Sequence, residues 1–352
     1  MKLRFLCVFL PIFLANSYSN AQKVDLDPWR FTVEYRNLPE VALDKSYTTY
    51  NVEVQNSGSF KDNVSDMQII EGVAIPGWKR VDAKGHLTIV VSFRDFIISR
   101  ANVNERVEET KDKDGKVTGR KYYYQPVIEY NYQGRANVKS YKGDDLRNIG
   151  LSGSSSWKGQ ESSSSKEAND YLNNNRQSLR DQLIRDAVNE KRQALANDLS
   201  RNYGFARYTY PDLVYLLDSK KHPENEAHFK VVRALKDDLT KMKFDQTIEQ
   251  TKALFAPHIK YLEETIPKYN KDEKGDRKMR YAAYYALGKI SYWLDNPEAT
   301  IKYGELLIAN DYDPKDGKEL VKMGTELRKL FDKHKIDSRH FPIDTDKFEG
   351  PK

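Results

Sequence analysis

Paired Ser and Lys residues are the first side chains in this sequence whose type and spacing could do chemistry. Ser155 with Lys158, and Ser163 with Lys166, are three residues apart, the spacing at which a lysine can activate a serine nucleophile for acyl transfer. Both pairs lie in a stretch that is mostly serine, where such matches arise from composition. No S-D-N or K-T-G sequence accompanies them. We therefore interpret both pairs as chance matches.

Histidine and aspartate residues provide the next candidates, in this case for a metal site. His222 and His228 flank a short acidic segment, but a surface loop that enters a helix explains them with fewer assumptions. Three aspartates before Gly317 are spaced like part of a calcium loop, although the glycine comes one place late. We interpret Asp313 as a helix cap. The sequence therefore predicts no metal and no other cofactor.

Longer catalytic motifs are missing from the sequence. It contains no H-E-x-x-H, no P-loop and no G-x-S-x-G. We interpret the protein as non-catalytic. An active site assembled from distant carboxylates stays open as an alternative, because pairs that meet only in space cannot be identified in a sequence.

The N-terminus has the three-part pattern of a secretory signal. Lys2 and Arg4 precede an apolar run at residues 5–15, and small residues follow up to Ala21. The run is far shorter than the roughly 20 residues of a membrane-spanning helix. We expect residues 1–21 to be a cleaved signal peptide. The mature protein would then act in the periplasm or at the cell surface.

The composition restricts the compartments in which the protein could act and the classes of partner it could bind. Cys7 is the only cysteine and lies within the expected signal peptide, so the mature chain would have no disulfide, which favours a bacterial cell envelope. The whole chain has a net charge of +6 with both signs interspersed, which does not indicate a nucleic-acid partner. No later apolar run is long enough to span a membrane, so we predict no transmembrane helix in the mature chain.

A β-rich domain is predicted at residues 22–150. Apolar and polar residues alternate there, as they do in strands with one buried face. Asp114-Gly115 is typical of a tight hairpin turn and predicts a long hairpin. Tyr122 and Tyr124 share one face of its second strand and form a candidate platform for a glycan, although sheet packing also explains them. We predict an antiparallel sheet or a sandwich.

The rest of the chain is predicted to be mainly helical, which makes the fold class α+β. A Ser-rich linker is expected at 151–166, a long linking helix at 167–204, an all-α domain at 205–335 and an irregular tail at 336–352. Ser164 and Glu167 predict a capping box for the long helix. Apolar periodicity places the candidate helices of the all-α domain at 224–242, 246–268, 277–295, 297–309 and 314–334.

One segment of the all-α domain, residues 281–310, resembles a tetratricopeptide repeat. In the first helix, Tyr284, Leu287 and Gly288 match the aromatic, leucine and glycine positions of that family. In the second helix, Ala299 and Tyr303 match its alanine and aromatic positions. Asn296-Pro297 forms the turn between the helices. Ser291 and Leu306 depart from the family pattern, and a possible earlier copy near residues 245–248 has the wrong spacing. A looser match extends over 224–335, and a single repeat within a helical bundle is the alternative.

The resemblance implies a surface that binds a protein partner, and it supplies no catalytic residues. The five residues that carry it are thus candidates for partner binding or for packing of the helical hairpin. The sequence therefore favours an exported interaction or scaffold protein that binds a protein partner of the envelope or outer membrane. A glycan-binding or glycan-processing accessory protein that uses the tyrosine-rich β domain is the alternative.

Overall fold

The computed structural model describes residues 23–352, so the predicted signal peptide lies outside the described residues. Eight strands form two sheets: β1 (Leu26–Arg36), β2 (Thr49–Val54), β3 (Lys79–Arg80), β4 (Leu87–Lys111), β5 (Val117–Ser140), β6 (Asp145–Gly150), β7 (Gly153–Lys158) and β8 (Arg207–Leu217). The α-helices are α1 (Ser59–Asn63), α2 (Asp66–Gly72), α3 (Ser165–Asn174), α4 (Arg176–Tyr203), α5 (Asn225–Lys241), α6 (Glu249–Thr265), α7 (Lys274–Trp293), α8 (Pro297–Ala309) and α9 (Pro314–His334).

The fold is α+β, as predicted. β1 and β8 pair with each other, and the other strands form a six-stranded sheet in the order β3-β2-β4-β5-β6, with β7 beside β5. The sheet is not wholly antiparallel, because β2 runs parallel to both β3 and β4. The segment between β2 and β4 contains α1 and α2, which gives it the length that a parallel crossover needs. Helices, and not a second sheet, cover the buried face of the six-stranded sheet, so the predicted alternative of a sandwich does not form.

The predicted hairpin is confirmed, with a different turn. β4 and β5 pair from Leu87 to Lys111, and Asp112 N–H donates to Lys116 O across the loop at 2.9 Å. Within the loop at 112–116, only Gly115 has a positive φ, +80°, and the strand register shifts next to the loop. This is a three-residue loop with a bulge, not the two-residue turn that Asp-Gly suggested, because Asp112 Oδ1 accepts two backbone N–H groups.

The Ser-rich segment 151–166 is not a free linker, which corrects the sequence prediction. Its β7 strand pairs antiparallel with β5 from Val127 to Tyr132, and Trp157 packs against the core beneath the sheet. The edge of β5 supplies hydrogen-bond partners for the backbone, and this outweighs the weak strand preference of serine. Ser155 and Lys158 are three residues apart on a strand, so their side chains point to opposite faces and cannot act together.

The long helix also differs from its prediction. It consists of α3 and α4, separated at Asn175, and its apolar face packs in the same core as the sheet instead of linking two domains. Ser164 accepts the N–H of Glu167 at 3.3 Å, but Glu167 bonds to Ser162, so only half of the capping box forms.

The described residues divide into two compact units, each discontinuous in sequence, unlike the contiguous ranges expected. We call the first the helical unit; it comprises residues 23–33, 210–242 and 249–329. We call the second the sheet unit; it comprises residues 34–209, 243–248 and 330–352. The tail at 336–352 is irregular apart from one turn of 3₁₀-helix, but Arg339 and His340 within it are buried. No helix among the described residues has the length and apolarity to cross a membrane.

The five predicted helices are all present, within a few residues of their expected bounds. Glycines allow the last helices to pack closely against one another. A Cβ on Gly317 would lie 2.6 Å from Gly304 O, so α8 and α9 contact each other through backbone. Gly288 gives space to Leu320 of α9. Periodicity identifies helices, whereas the partner of each face depends on the tertiary structure.

A buried histidine in the helical unit predicts a dependence of stability on pH. His228 of α5 is 1% exposed, and its Nδ1 accepts the N–H of Leu217 at 3.3 Å. Burial lowers its pKa to about 4, although Glu224 opposes this shift. A histidine in the unfolded chain titrates near pH 6.5. The stabilisation of the folded state by neutral His228 is therefore complete above pH 6.5 and is lost as the pH falls toward 4.

We expect the free energy of unfolding of the helical unit to fall by about 2 kcal/mol between pH 7 and pH 5 through His228 alone. Native-state hydrogen exchange of α5 at both values measures it. His228→Gln retains an acceptor for the Leu217 N–H but cannot gain a proton. The free energy of unfolding of this variant should therefore fall by about 2 kcal/mol less than that of the unchanged protein between pH 7 and pH 5. An equal loss in both proteins would contradict the assignment.

Candidate functional site

An apolar cavity of about 460 Å³ in the sheet unit is a candidate binding site. We call it the tail cavity, because the C-terminal segment forms one wall. The loop after β1 forms another, and the end of α4 with the turn before β3 closes the floor. Its apolar lining includes Val41, Leu43, Trp78, Phe205, Ile336 and Phe341. A cavity of this size and character is typical of ligand and anchor-residue sites.

Backbone hydrogen bonds hold the tail in place as part of the wall. Arg36 N–H donates to Arg339 O at 3.0 Å, and Phe341 N–H donates to Phe244 O at 3.1 Å. Lys79 Nζ donates to carbonyl oxygens farther along the tail, at 3.0 and 3.1 Å. A segment without regular structure is thus fixed at several points, since each buried backbone group needs a partner.

The Arg36 side chain joins the tail to the floor of the cavity. Its guanidinium donates to Phe205 O at 2.9 Å and to Phe341 O at 2.8 Å. The rings of Phe244 and Phe341 lie 4.6 and 4.9 Å from its central carbon, a distance at which cation–π attraction operates. Arg36 is 4% exposed, and burial lowers its pKa, yet an arginine stays charged in proteins.

Polar groups lie at the mouth of the cavity, each with a partner. Burial lowers the pKa of His334, and its Nε2 contacts Pro39 O at 2.8 Å. Asp44 accepts the N–H and the hydroxyl of Ser46, which lowers its pKa and keeps it ionised. Lys347 pairs with Asp344 at 3.0 Å. The mouth is thus polar and balanced in charge, and the interior offers apolar contact.

Trp78 shows how the floor stays apolar. Its indole N–H donates to Tyr203 O at 2.8 Å, so the polar edge of the ring is satisfied within the protein. The ring itself is left to line the cavity. This arrangement favours burial of an apolar group and contributes no group that transfers a proton.

The structure places the residues of the predicted repeat inside the helical unit. Leu287 and Gly288 are buried on α7, and Tyr303 is 7% exposed, with its hydroxyl donating to Glu263 at 2.7 Å. Tyr284 is half-buried against a cluster of aromatic rings. Ala299 is half-buried in the first turn of α8, where its N–H is capped by Asn296. These positions pack the helices, and only Tyr284 and Ala299 reach solvent.

Tyr122 and Tyr124 lie on the second strand of the hairpin, as predicted. Tyr122 is 43% exposed, and Tyr124 is half-buried beside Ser162, with which it exchanges two backbone hydrogen bonds. The hydroxyl of Tyr124 interacts with Glu105, and burial and this contact raise its pKa. The platform therefore offers one open ring.

The candidate metal ligands have other roles. His222 is 5% and His228 1% exposed, so the expected surface loop is in fact buried. Asp316 accepts the Tyr281 hydroxyl at 2.6 Å, and Asp313 Oδ1 accepts the N–H of Lys315 at 3.3 Å near the start of α9. No cluster of three metal-ligating side chains occurs in the range 23–352.

Sequence reasoning missed the tail cavity. The signal was present, because Ile336, Phe341, Ile343 and Phe348 make the last segment more apolar than a free tail should be. Its docking surface, however, comes from residues far away in the chain.

No model of a known protein family matches the chain, and no curated protein matches it either. The resemblance to tetratricopeptide repeats thus stays a prediction.

Proposed function

We propose that this chain is an exported, non-catalytic interaction protein of a bacterial cell envelope, and that it binds a protein partner. The observation that carries the proposal is the tail cavity. It combines an apolar interior with a polar mouth whose charges already have partners. A site of this kind gains binding energy from desolvation and not from charge.

The openness of the cavity favours a protein partner over an enclosed small molecule. Val41, Leu43, Ile336 and Phe348 are all half-buried, so solvent reaches the lining from outside. An occupant would remain partly outside, as does an anchor side chain that belongs to a larger surface. Apolar side chains of the partner would fill the cavity, and polar contacts would surround them.

The helical unit supplies a second contact in this proposal. Its predicted repeat would hold α7 and α8 as a rigid hairpin, and stacked hairpins of this type present a groove to partner segments. Tyr284 and Ala299 are the members of the motif that reach its surface. The expected export signal at residues 1–21 would bring both units to the envelope.

A photo-crosslinking experiment tests the proposal. A photoreactive phenylalanine derivative replaces Phe348 at the mouth of the cavity, in the full chain expressed in the organism that encodes it. We expect a discrete crosslinked protein after irradiation. Val41→Glu puts a charge into the lining and should abolish that product, since burying an unpaired carboxylate is costly.

The same derivative at Tyr171, which is 47% exposed on α3, is the matched control and should give no discrete product. Native mass spectrometry of the purified chain tests whether a small molecule, and not a protein, occupies the tail cavity. A bound compound of low mass, together with no crosslink at position 348, would overturn the protein-partner proposal.

A further inference from the structure

The solvent-facing side of the six-stranded sheet carries a polar groove of about 850 Å³, separate from the tail cavity. Strand register places four side chains in one row across it: Glu53, Val90, Asn137 and Asn148. Neighbouring strands lie about 4.8 Å apart, so the row spans about 14 Å. The opposite face of these strands is the buried core, which makes the groove floor rigid.

The groove is positively charged. Lys84, Arg135 and Lys139 line it, against one side-chain carboxylate, that of Glu53. In the described part of the chain, neither Lys84 nor Arg135 forms an ion pair, and Lys139 lies 3.8 Å from its nearest carboxylate. Cations without close partners along one concave face focus a positive potential there.

Neutral polar groups and an aromatic ring accompany the cations. Asn137 Nδ2 donates to Asn148 Oδ1 at 2.8 Å, while the buried Oδ1 of Asn137 has no hydrogen-bond partner among residues 23–352. At the end of the groove, Tyr141 is 44% exposed and its ring is held by edge contacts with Tyr47 and His86. The ring is therefore fixed in position and partly exposed, with the Lys142 ammonium 5.6 Å from its centroid.

We propose that this groove binds an acidic oligosaccharide, a short chain of sugars that bear carboxylates. Arg135 can hold a carboxylate through two parallel hydrogen bonds, and Lys139 adds a second charge. The exposed amide of Asn148 suits a sugar hydroxyl, which both donates and accepts. The ring of Tyr141 offers an apolar surface to the C–H face of a sugar.

A nucleic acid fits these observations less well. Proteins that bind nucleic acids are usually strongly basic over a face or a whole domain, whereas this chain has a net charge of +6 spread over both signs. The groove also has a single exposed ring, where a single strand would need several for stacking of its bases.

Isothermal titration calorimetry on the exported form, residues 22–352, tests the proposal with tetragalacturonate, maltotetraose and a single-stranded oligonucleotide of equal charge. We expect tetragalacturonate to bind at least about tenfold more tightly than the other two. The double variant Arg135→Gln, Lys139→Gln should weaken that binding at least about tenfold.

Lys113→Gln with Lys116→Gln at the hairpin tip changes the net charge equally and should leave the affinity unchanged. Three results would each overturn the proposal: no binding of tetragalacturonate, tighter binding of the oligonucleotide, or an equal loss of affinity in the control. Circular dichroism checks that each variant is folded. The assay does not involve the tail cavity, so its failure is distinguishable from failure of the crosslinking test at Phe348.

Discussion

Replacing Lys289 by methionine is expected to lower the free energy of unfolding of the helical unit by about 3–5 kcal/mol. Lys289 Nζ lies 2.9 Å from Asp212 Oδ1, and the two side chains are 11% and 6% exposed. The other oxygen of Asp212 accepts the indole N–H of Trp293 at 2.8 Å. Methionine fills similar volume but leaves the carboxylate buried without its cation, which costs more than the pair itself contributes.

Native-state hydrogen exchange of peptides from α7 measures this effect in the helical unit alone. Lys322→Met, at an exposed position on α9, is the matched control and should change the free energy by less than about 0.5 kcal/mol. Adding Asp212→Asn to Lys289→Met removes the orphan charge and retains an acceptor, so it should recover at least half of the loss. A double variant as unstable as the sum of both single variants would refute the coupling.

Replacing Arg36 by methionine is expected to release the tail and to lower its local stability by about 3 kcal/mol, or about 100-fold in hydrogen-exchange protection near Phe341. The change leaves the carbonyls of Phe205 and Phe341 without their donors and removes a cation from between two rings. With the tail loosened, the tail cavity loses a wall, and the crosslink from position 348 should disappear.

Two further variants separate charge from geometry at this position. Arg36→Lys retains the charge but cannot reach both carbonyls with one planar group, so its effect should be intermediate. Arg185→Met changes an exposed arginine of α4 in the same unit and should leave exchange in the tail unchanged. If the tail of Arg36→Met exchanged as slowly as that of the Arg185 control, the backbone hydrogen bonds alone would hold it.

Local patterns were sufficient to predict the elements that depend on local interactions. Residues 297–309 and 314–334 were predicted as helices and are helices with these bounds, because each begins with a proline and follows a capping residue. The position of the β4–β5 hairpin followed from Asp114-Gly115. Its turn type did not, because the Asp112 side chain determines how the loop closes.

Predictions failed where a remote partner changes the state of a segment. Serine has little preference for strands, yet β7 forms because the edge of β5 is available to it. A long helix at 167–204 was predicted, but the spacing of its apolar residues cannot show whether its apolar face packs on a sheet or joins two domains. His222 and His228 look like loop residues in sequence, and only the packing around them shows that they are buried.

The sequence by itself determined the helices, the long hairpin and the α+β class, because spacing of apolar residues and capping chemistry act over a few residues. Only the tertiary structure decided the sites. The tail cavity requires residues near 40, 78, 204 and 340, and the polar groove requires the register of four strands. Contacts between residues so far apart depend on the packing of the whole unit, and no local pattern records them.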